Sequence, residues 1–279
     1  MKMEGQLPFV NSGSMINLPV SAELIVDLSL DGSLVEREFL TLIMSKLRES
    51  SGALHICCRV LQVDKLCDCK YTLKFLDLIC VDQLSIANSS LSDINNVLSQ
   101  KFLLFSPYRV LPLGLDFLYL TFCDLSFSDF RFLAQSPQAS RLKLLNLSNN
   151  PMYWDDFEPF QTLLMNISGT LKRLEINNCL ITDSAISVLI PALIRCTHLH
   201  VLGFASNPIT MPMLVNIVHN LTPLKTLKYV IYPIPVHCYD PWPFQGSLDR
   251  RKLAIVQLQL KAMLQLAERD DMTWITSSD

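Results

Sequence analysis

One spacing recurs through the middle of this chain and fixes most of what it can fold into. Leu115, Leu118, Leu120, Cys123 and Leu125 fill the pattern L-x-x-L-x-L-x-x-N/C-x-L, and Leu142, Leu145, Leu147, Asn150 and Met152 fill it again. Leu171, Leu174, Ile176, Cys179 and Ile181 repeat it, followed by Leu199, Leu202, Phe204, Asn207 and Ile209. A fifth copy opens with Leu224, Leu227 and Tyr229 and carries Tyr232 in place of the Asn or Cys, as a terminal unit does. Starts at 115, 142, 171, 199 and 224 lie 27, 29, 28 and 25 residues apart, the spacing of leucine-rich repeats. One such unit cannot bury its apolar face alone. The sequence therefore predicts a stacked α/β solenoid, with strands near 118–120, 145–147, 174–176, 202–204 and 227–229.

Within each unit, Leu118 and Leu120 and their equivalents point inward from a short strand that pairs in parallel with the next. The Asn or Cys position falls where the chain leaves the strand. A short side chain is buried there, and Asn can bond backbone groups that the strand ladder leaves over, so Cys123, Asn150, Cys179 and Asn207 read as structural. Between strands the period becomes helical. Thr182 and Asp183 offer an N-cap ahead of Ile186, Leu189, Ile190 and Leu193, with a kink or break expected at Pro191. Thr210 caps a second helix with Met211, Leu214, Val215 and Val218 inward and Pro212 in its first turn. Outer helices with repeats near 28 residues suggest a ribonuclease-inhibitor-like horseshoe with helical caps.

The ends read differently. Residues 1–18 are expected to be a flexible N-terminus, and residues 19–114 a cap followed by degenerate repeats. That cap holds a strand at Leu24 to Leu30, a turn at Asp31-Gly32, a helix over Val35 to Arg48 and an apolar stretch, Leu54 to Val63. Leu73, Leu76, Leu78, Val81 and Leu84 keep the repeat pattern roughly. Residues 115–235 are the repeats proper. Residues 236–279 form a loop and a closing helix from about Leu248 to Glu268, with Leu253, Val256, Leu260, Met263, Leu264 and Ala267 on its apolar side.

Composition narrows the function classes. Hydrophobic residues make up 50% of 279 and mean hydropathy is +0.30, so a large core is affordable. The 23 basic and 26 acidic side chains give net charge −3 with no long run of one sign, against a direct nucleic-acid partner. No 18-residue apolar run predicts a membrane span, and the start of the chain lacks the pattern of a secretory signal. Nine scattered cysteines, an odd number, fit free thiols in a reducing compartment, cytoplasmic or nuclear. The four Asn-x-Ser/Thr sequons at Asn88, Asn146, Asn166 and Asn220 then stay unmodified.

Candidate chemistry is sparse. Cys57, Cys58, Cys67 and Cys69 include no Cys-x-x-Cys pair, so no metal site is expected. His237 and Cys238 adjoin in a proline-rich loop, but neighbours in sequence rarely face each other and no orienting carboxylate is evident. None of the 8 glycines forms a phosphate loop. No catalytic residue and no cofactor are expected. What remains is a binding surface for a protein client on the concave face. Tyr119, Thr121, Asn146, Ser148, Glu175, Asn177, Gly203, Ala205, Lys228 and Val230 are the side chains expected to form it.

Several stretches resemble the PRAME family: Leu54-His-Ile-Cys-Cys-Arg, the repeat Leu171 to Ile181, Tyr232-Pro-Ile-Pro-Val-His-Cys-Tyr, and the end near Met272-Thr-Trp-Ile. Asn146-Leu-Ser-Asn-Asn-Pro-Met-Tyr-Trp is similar to the rodent oogenesins within it. The resemblance covers about residues 16–276. It implies a germline, oocyte or early-embryo horseshoe protein, a substrate receptor of a cullin-2 RING ubiquitin ligase that also holds elongin. The alternative it implies is a stoichiometric inhibitor or transcriptional co-repressor acting by partner occupancy. Leu76, Cys80 and Leu84 have the spacing of an elongin-binding helix. The chain also begins beyond the region where longer members carry that motif, and Gln100 runs into Lys101 where relatives carry further repeats. A shortened form that binds its client without recruiting the ligase is therefore the expectation.

Overall fold

In the computed structural model the described residues are 22–30, helical positions within 38–49, 54–65, 80–90, 111–239 and 246–276. The chain divides into two compact units, Met1–Asp116 and Phe117–Asp279.

In the first unit β1 (Ala22–Leu30), β2 (Leu54–Asp64) and β3 (Gln83–Ala87) pair in that order, all parallel. Val26, Leu28 and Leu30 are buried on alternate positions of β1, as are Leu61 and Val63 on β2 and Leu84 and Ile86 on β3. A register shift between Val26 and Asp27 interrupts the first pair. Residues 1–18, the Asp31-Gly32 turn, and Leu73, Leu76 and Leu78 of the degenerate repeat lie outside the described residues.

The second unit holds the repeats. Strands β4 (Phe117–Thr121), β5 (Leu144–Asn146), β6 (Arg173–Glu175), β7 (Val201–Gly203), β8 (Tyr229–Ile231) and β9 (Thr273–Ile275) are joined in sequence order, each parallel to the next. Helices α1 (Phe127–Gln135), α2 (Glu158–Ile167), α3 (Asp183–Arg195) and α4 (Met211–Leu221) connect them, and α5 (Arg250–Leu266) precedes the last strand. Leu118, Leu145, Leu174, Leu202 and Val230 pair strand to strand in one buried row. Each is stabilised by about 2 kcal/mol relative to an exposed side chain.

The turn after each strand shows what the Asn or Cys does. Asn150 is buried; its Oδ1 accepts the Cys123 N–H at 2.8 Å, while Nδ2 donates to the carbonyls of Leu120 at 2.7 Å and Leu147 at 2.8 Å. Asn207 repeats this one pair of units later, accepting from Cys179 N–H (3.1 Å) and Ile181 N–H (3.0 Å) and donating to Ile176 (2.9 Å) and Phe204 (2.6 Å). The residue before each is left-handed: Phe122, Asn149, Asn178 and Ser206 have φ of 54°, 62°, 53° and 56°. After the cysteines a second left-handed residue follows, Asp124 and Leu180; after the asparagines comes a proline, Pro151 or Pro208.

Two expectations need correction. Of the kink or break expected at Pro191, the break does not occur: the helix is continuous over Asp183–Arg195. Pro191 sits on the exposed side, and the carbonyl that loses its donor there, that of exposed Ser187, faces solvent. The fifth repeat is in a different register: its strand is Tyr229–Ile231, not 227–229, and Tyr232 fills the inward position rather than the Asn/Cys one. The true unit opens at Leu227, and Leu224 belongs to the preceding loop. Both leucines are buried, which is why the spacing misled.

Candidate functional site: the solvent face of the repeat sheet

Strand side chains alternate, so every second residue of the second unit's sheet faces away from the core. The register lines them up in two rows. Phe117, Leu144, Arg173, Val201, Tyr229 and Thr273 form one; Tyr119, Asn146, Glu175, Gly203, Ile231 and Ile275 form the other.

At the centre of this face Glu175 accepts from Arg173 Nε (2.5 Å) on its own strand and from Asn146 Nδ2 (2.9 Å) on the next. Tyr119 lies beyond Asn146, and burial pushes its phenol above the ordinary value, with Arg173 and Glu175 acting in opposite senses. Past the strand ends the Ser148 hydroxyl accepts from the backbone and side-chain N–H groups of Asn177 at 3.2 and 3.3 Å, and Asn177 Oδ1 accepts the Ala205 N–H at 2.9 Å. The Asn177 amide lies against Gly203, where an added Cβ would meet it at 3.1 Å, so a larger residue at 203 must displace it. Towards β9 the face turns apolar: Tyr229 is 56% and Ile275 39% exposed.

Of the expected contact residues, Tyr119, Thr121, Asn146, Glu175 and Asn177 are half-buried on this side of the strands. Ser148, Gly203 and Ala205 are buried, Ser148 by its bonds to the neighbouring turn. Val230, at 0% exposure, belongs to the core row and is corrected to Tyr229 and Ile231, the residues that the actual register turns outward. Lys228 precedes β8 and is ion-paired to Asp271. The expected set omits Arg173, which period two within β6 puts on the same face as Glu175.

The expectations about chemistry meet the following geometry. Leu84 is buried on β3 and Cys80 sits in a turn, so these two do not share a helix, and the elongin-binding helix read at Leu76, Cys80 and Leu84 is corrected at these two positions. Leu76 itself lies outside the described residues, as do Cys67 and Cys69. Cys238 Sγ stands 3.7 Å from His237 Nε2, yet burial pushes the thiol up, the opposite of a nucleophile. Burial also pushes Cys58 and Cys196 to about 12 and Cys179 to about 11. Among the described residues no three His, Cys, Asp or Glu side chains gather as a metal site.

Sequence reasoning missed Arg269. Its guanidinium is 1% exposed, and it donates to the carbonyls of Thr222, of Leu224 at 3.0 Å and of Leu227 at 2.7 Å, and to Asp271 Oδ1 at 2.8 Å. The loop before β8 is thereby tied to the chain after α5, and Asp271 passes the charge on to Lys228 at the edge of the exposed face.

Residues 99–276 match the family model described as the PRAME C-terminal domain, more than half of the chain. The chain belongs to the PRAME family. Its curated relatives include leucine-rich repeat-containing protein 14 of Rattus norvegicus, 35% identical over 207 residues, 71% of this chain and 40% of that protein. The Homo sapiens protein of that name is 34% identical over 206 residues, also 71% of this chain and 40% of its own length. The chain thus spans well under half the length of these PRAME-family relatives. A solved structure from Bacteroides fragilis covers 84% of this chain and 71% of its own at 13% identity and a TM-score of 0.43, too loose a likeness to add to the fold described above. Among the described residues of this PRAME-family chain no helix is long and apolar enough to cross a membrane.

Proposed function

We propose that this chain is a non-enzymatic protein-interaction scaffold that holds a protein client across the solvent face of β4–β9. The observation that carries the reading is the composition of that face. Exposed Tyr229 and Ile275 and half-buried Ile231 lie on the same face as the hydrogen-bonded Arg173–Glu175–Asn146 group, the mixture of aromatic, aliphatic and fixed polar groups that protein interfaces use. Membership of a leucine-rich-repeat family supports it, because repeat arrays present extended binding surfaces.

The finer reading rests on the family likeness, together with the similarity to oogenesins: a substrate receptor for a cullin-2 RING ubiquitin ligase in the oocyte or early embryo, cytoplasmic or nuclear. The experiment places a photo-crosslinking residue at Tyr119, at Tyr229 or, as a control, at exposed Gln265 on α5, and identifies adducts from ovary extract by mass spectrometry. A protein captured from both strand positions and not from α5 is the client. Adducts shared by all three positions would sink the assignment of the face, and failure of elongin and cullin-2 to co-purify would sink the ligase reading alone.

A further inference from the structure

A second surface lies away from the strands, where the chain passes from strand to helix. The segment after β5, the turn after β6 with the first turns of α3, and the turn after β7 enclose a groove of about 580 Å³. Its apolar walls are Tyr153, Leu180, Val188 and Pro208. Trp154 is held at its base by edge-on contacts to Phe127 and Phe130, with centroids at 6.3 and 4.6 Å, so the wall is pre-formed.

Two features of the groove are unexplained by the fold. Tyr153 is 78% exposed, and Leu180 is 37% exposed while held at φ +56°, a backbone state that costs an L-residue about 1 kcal/mol or more. The equivalent position of the first Cys repeat is Asp124, a residue type that tolerates the left-handed state; here the chain instead displays an apolar side chain to water. The three segments that line the groove carry charge of one sign, while behind its base Arg131 of α1 stacks on Phe127, 5.9 Å from the ring centre. Residues 150–162, 180–194 and 205–215 contain Asp155, Asp156, Glu158 and Asp183 and no Lys, Arg or His. Asp183 is committed to Thr210 and Asp156 accepts the Glu158 N–H at 2.8 Å, but Asp155 lines the groove, exposed, with no ion pair among the described residues. The N-terminus of α3 opens on the same groove, but Thr182 caps the Ala185 N–H and Asp183 stands in the first turn, which offsets its attraction for an anion.

We propose that this groove docks a linear segment of a protein partner in which an aliphatic or aromatic side chain stands next to a lysine or arginine. The apolar side chain packs between Tyr153, Leu180 and Val188, and the cation pairs with Asp155 and faces the Trp154 ring. The site is separate from the strand face and does not depend on it.

The test titrates the full chain into a short fluorescein-labelled peptide containing Arg-Leu-Arg, and into its Glu-Leu-Glu counterpart, read by anisotropy. The arginine peptide is expected to bind and the glutamate peptide not. Asp155→Lys is expected to weaken binding about tenfold or more, whereas Asp270→Lys, an equal change of net charge at an exposed residue outside the groove, leaves it unchanged. Leu180→Gly suits the left-handed backbone, so it preserves the fold and removes only the apolar wall; it is expected to weaken binding too. The proposal is overturned if the arginine peptide fails to bind, if the glutamate peptide binds as well, if both lysine variants lose affinity equally, or if Leu180→Gly binds like the parent.

Discussion

The carboxylate of Asp183, first residue of α3, accepts both the backbone N–H of Thr210 at 3.0 Å and its hydroxyl at 2.5 Å. Thr210 is itself the N-cap of α4, so one acid fastens the start of one outer helix to the start of the next. Asp183→Ala should lower stability by about 1–3 kcal/mol, the range for hydrogen bonds to a charged group at a partly exposed site. The measurement is a urea titration; a midpoint equal to the parent's would show that the tie contributes nothing.

Asn207→Leu should come close to unfolding the second unit. The substitution leaves the N–H groups of Cys179 and Ile181 and the carbonyls of Ile176 and Phe204 without their partner, at about 1–3 kcal/mol per buried group against a total of ~5–15. Cys179→Ala at the equivalent turn should cost only about 1 kcal/mol, since its thiol makes weak bonds to the carbonyls of Leu147 and Asn177. Thermal melts of the two variants check the order, and a Cys179→Ala melt as low as that of Asn207→Leu would refute it.

Arg269→Met should destabilise by about 3 kcal/mol or more, because three carbonyls lose donors while the volume is kept. Arg269→Lys should not rescue it, as one ammonium cannot reproduce the planar fork. Hydrogen exchange at Tyr229–Ile231 should rise in both variants; protection unchanged in β8 would mean that the arginine does not hold the last repeats closed.

The same arginine, with Lys228, holds the Asp271 carboxyl well below the ordinary value of 3.8. A folded-state value below the unfolded one adds stability that is present above pH 3.8 and lost as the pH falls through and below it. The acid limb of the stability profile should therefore flatten in Asp271→Asn relative to the parent. Parallel profiles below pH 4 would sink the assignment.

How far the sequence carried the fold depended on where the partner of each residue lies. The four central repeats were readable because Leu118, Leu145, Leu174 and Leu202 sit at fixed distances from their own unit's Asn or Cys, and the stacking acts on that local spacing. Strand β9 was not, because Thr273-Trp274-Ile275 has no repeat pattern and is recruited by pairing with β8 and by the Tyr232–Trp274 ring contact at 5.8 Å. Arg269 was equally illegible, since the carbonyls it serves lie 42 to 47 residues earlier and carry no side-chain signature. On the exposed face Val230 has the same cause: a unit counted from Leu224 turns it outward, whereas the unit that opens at Leu227 buries it opposite Leu202.

The turns described above differ in kind from one repeat to the next, and that sets the unit in which this array can grow or shrink. An asparagine amide secures the N–H of the preceding cysteine turn, at Asn150 for Cys123 and at Asn207 for Cys179, whereas the tie back from Cys179 to Leu147 is a thiol bond of 3.2 Å. Each module is thus two repeats long, 56 residues from Cys123 to Cys179. Duplication or excision of one module leaves every junction as it was. Removing a single repeat sets two like turns side by side, so that an amide meets another asparagine turn or a cysteine turn loses its amide, and lengthened or shortened versions of this scaffold, whether made by a genome or at the bench, should differ by pairs.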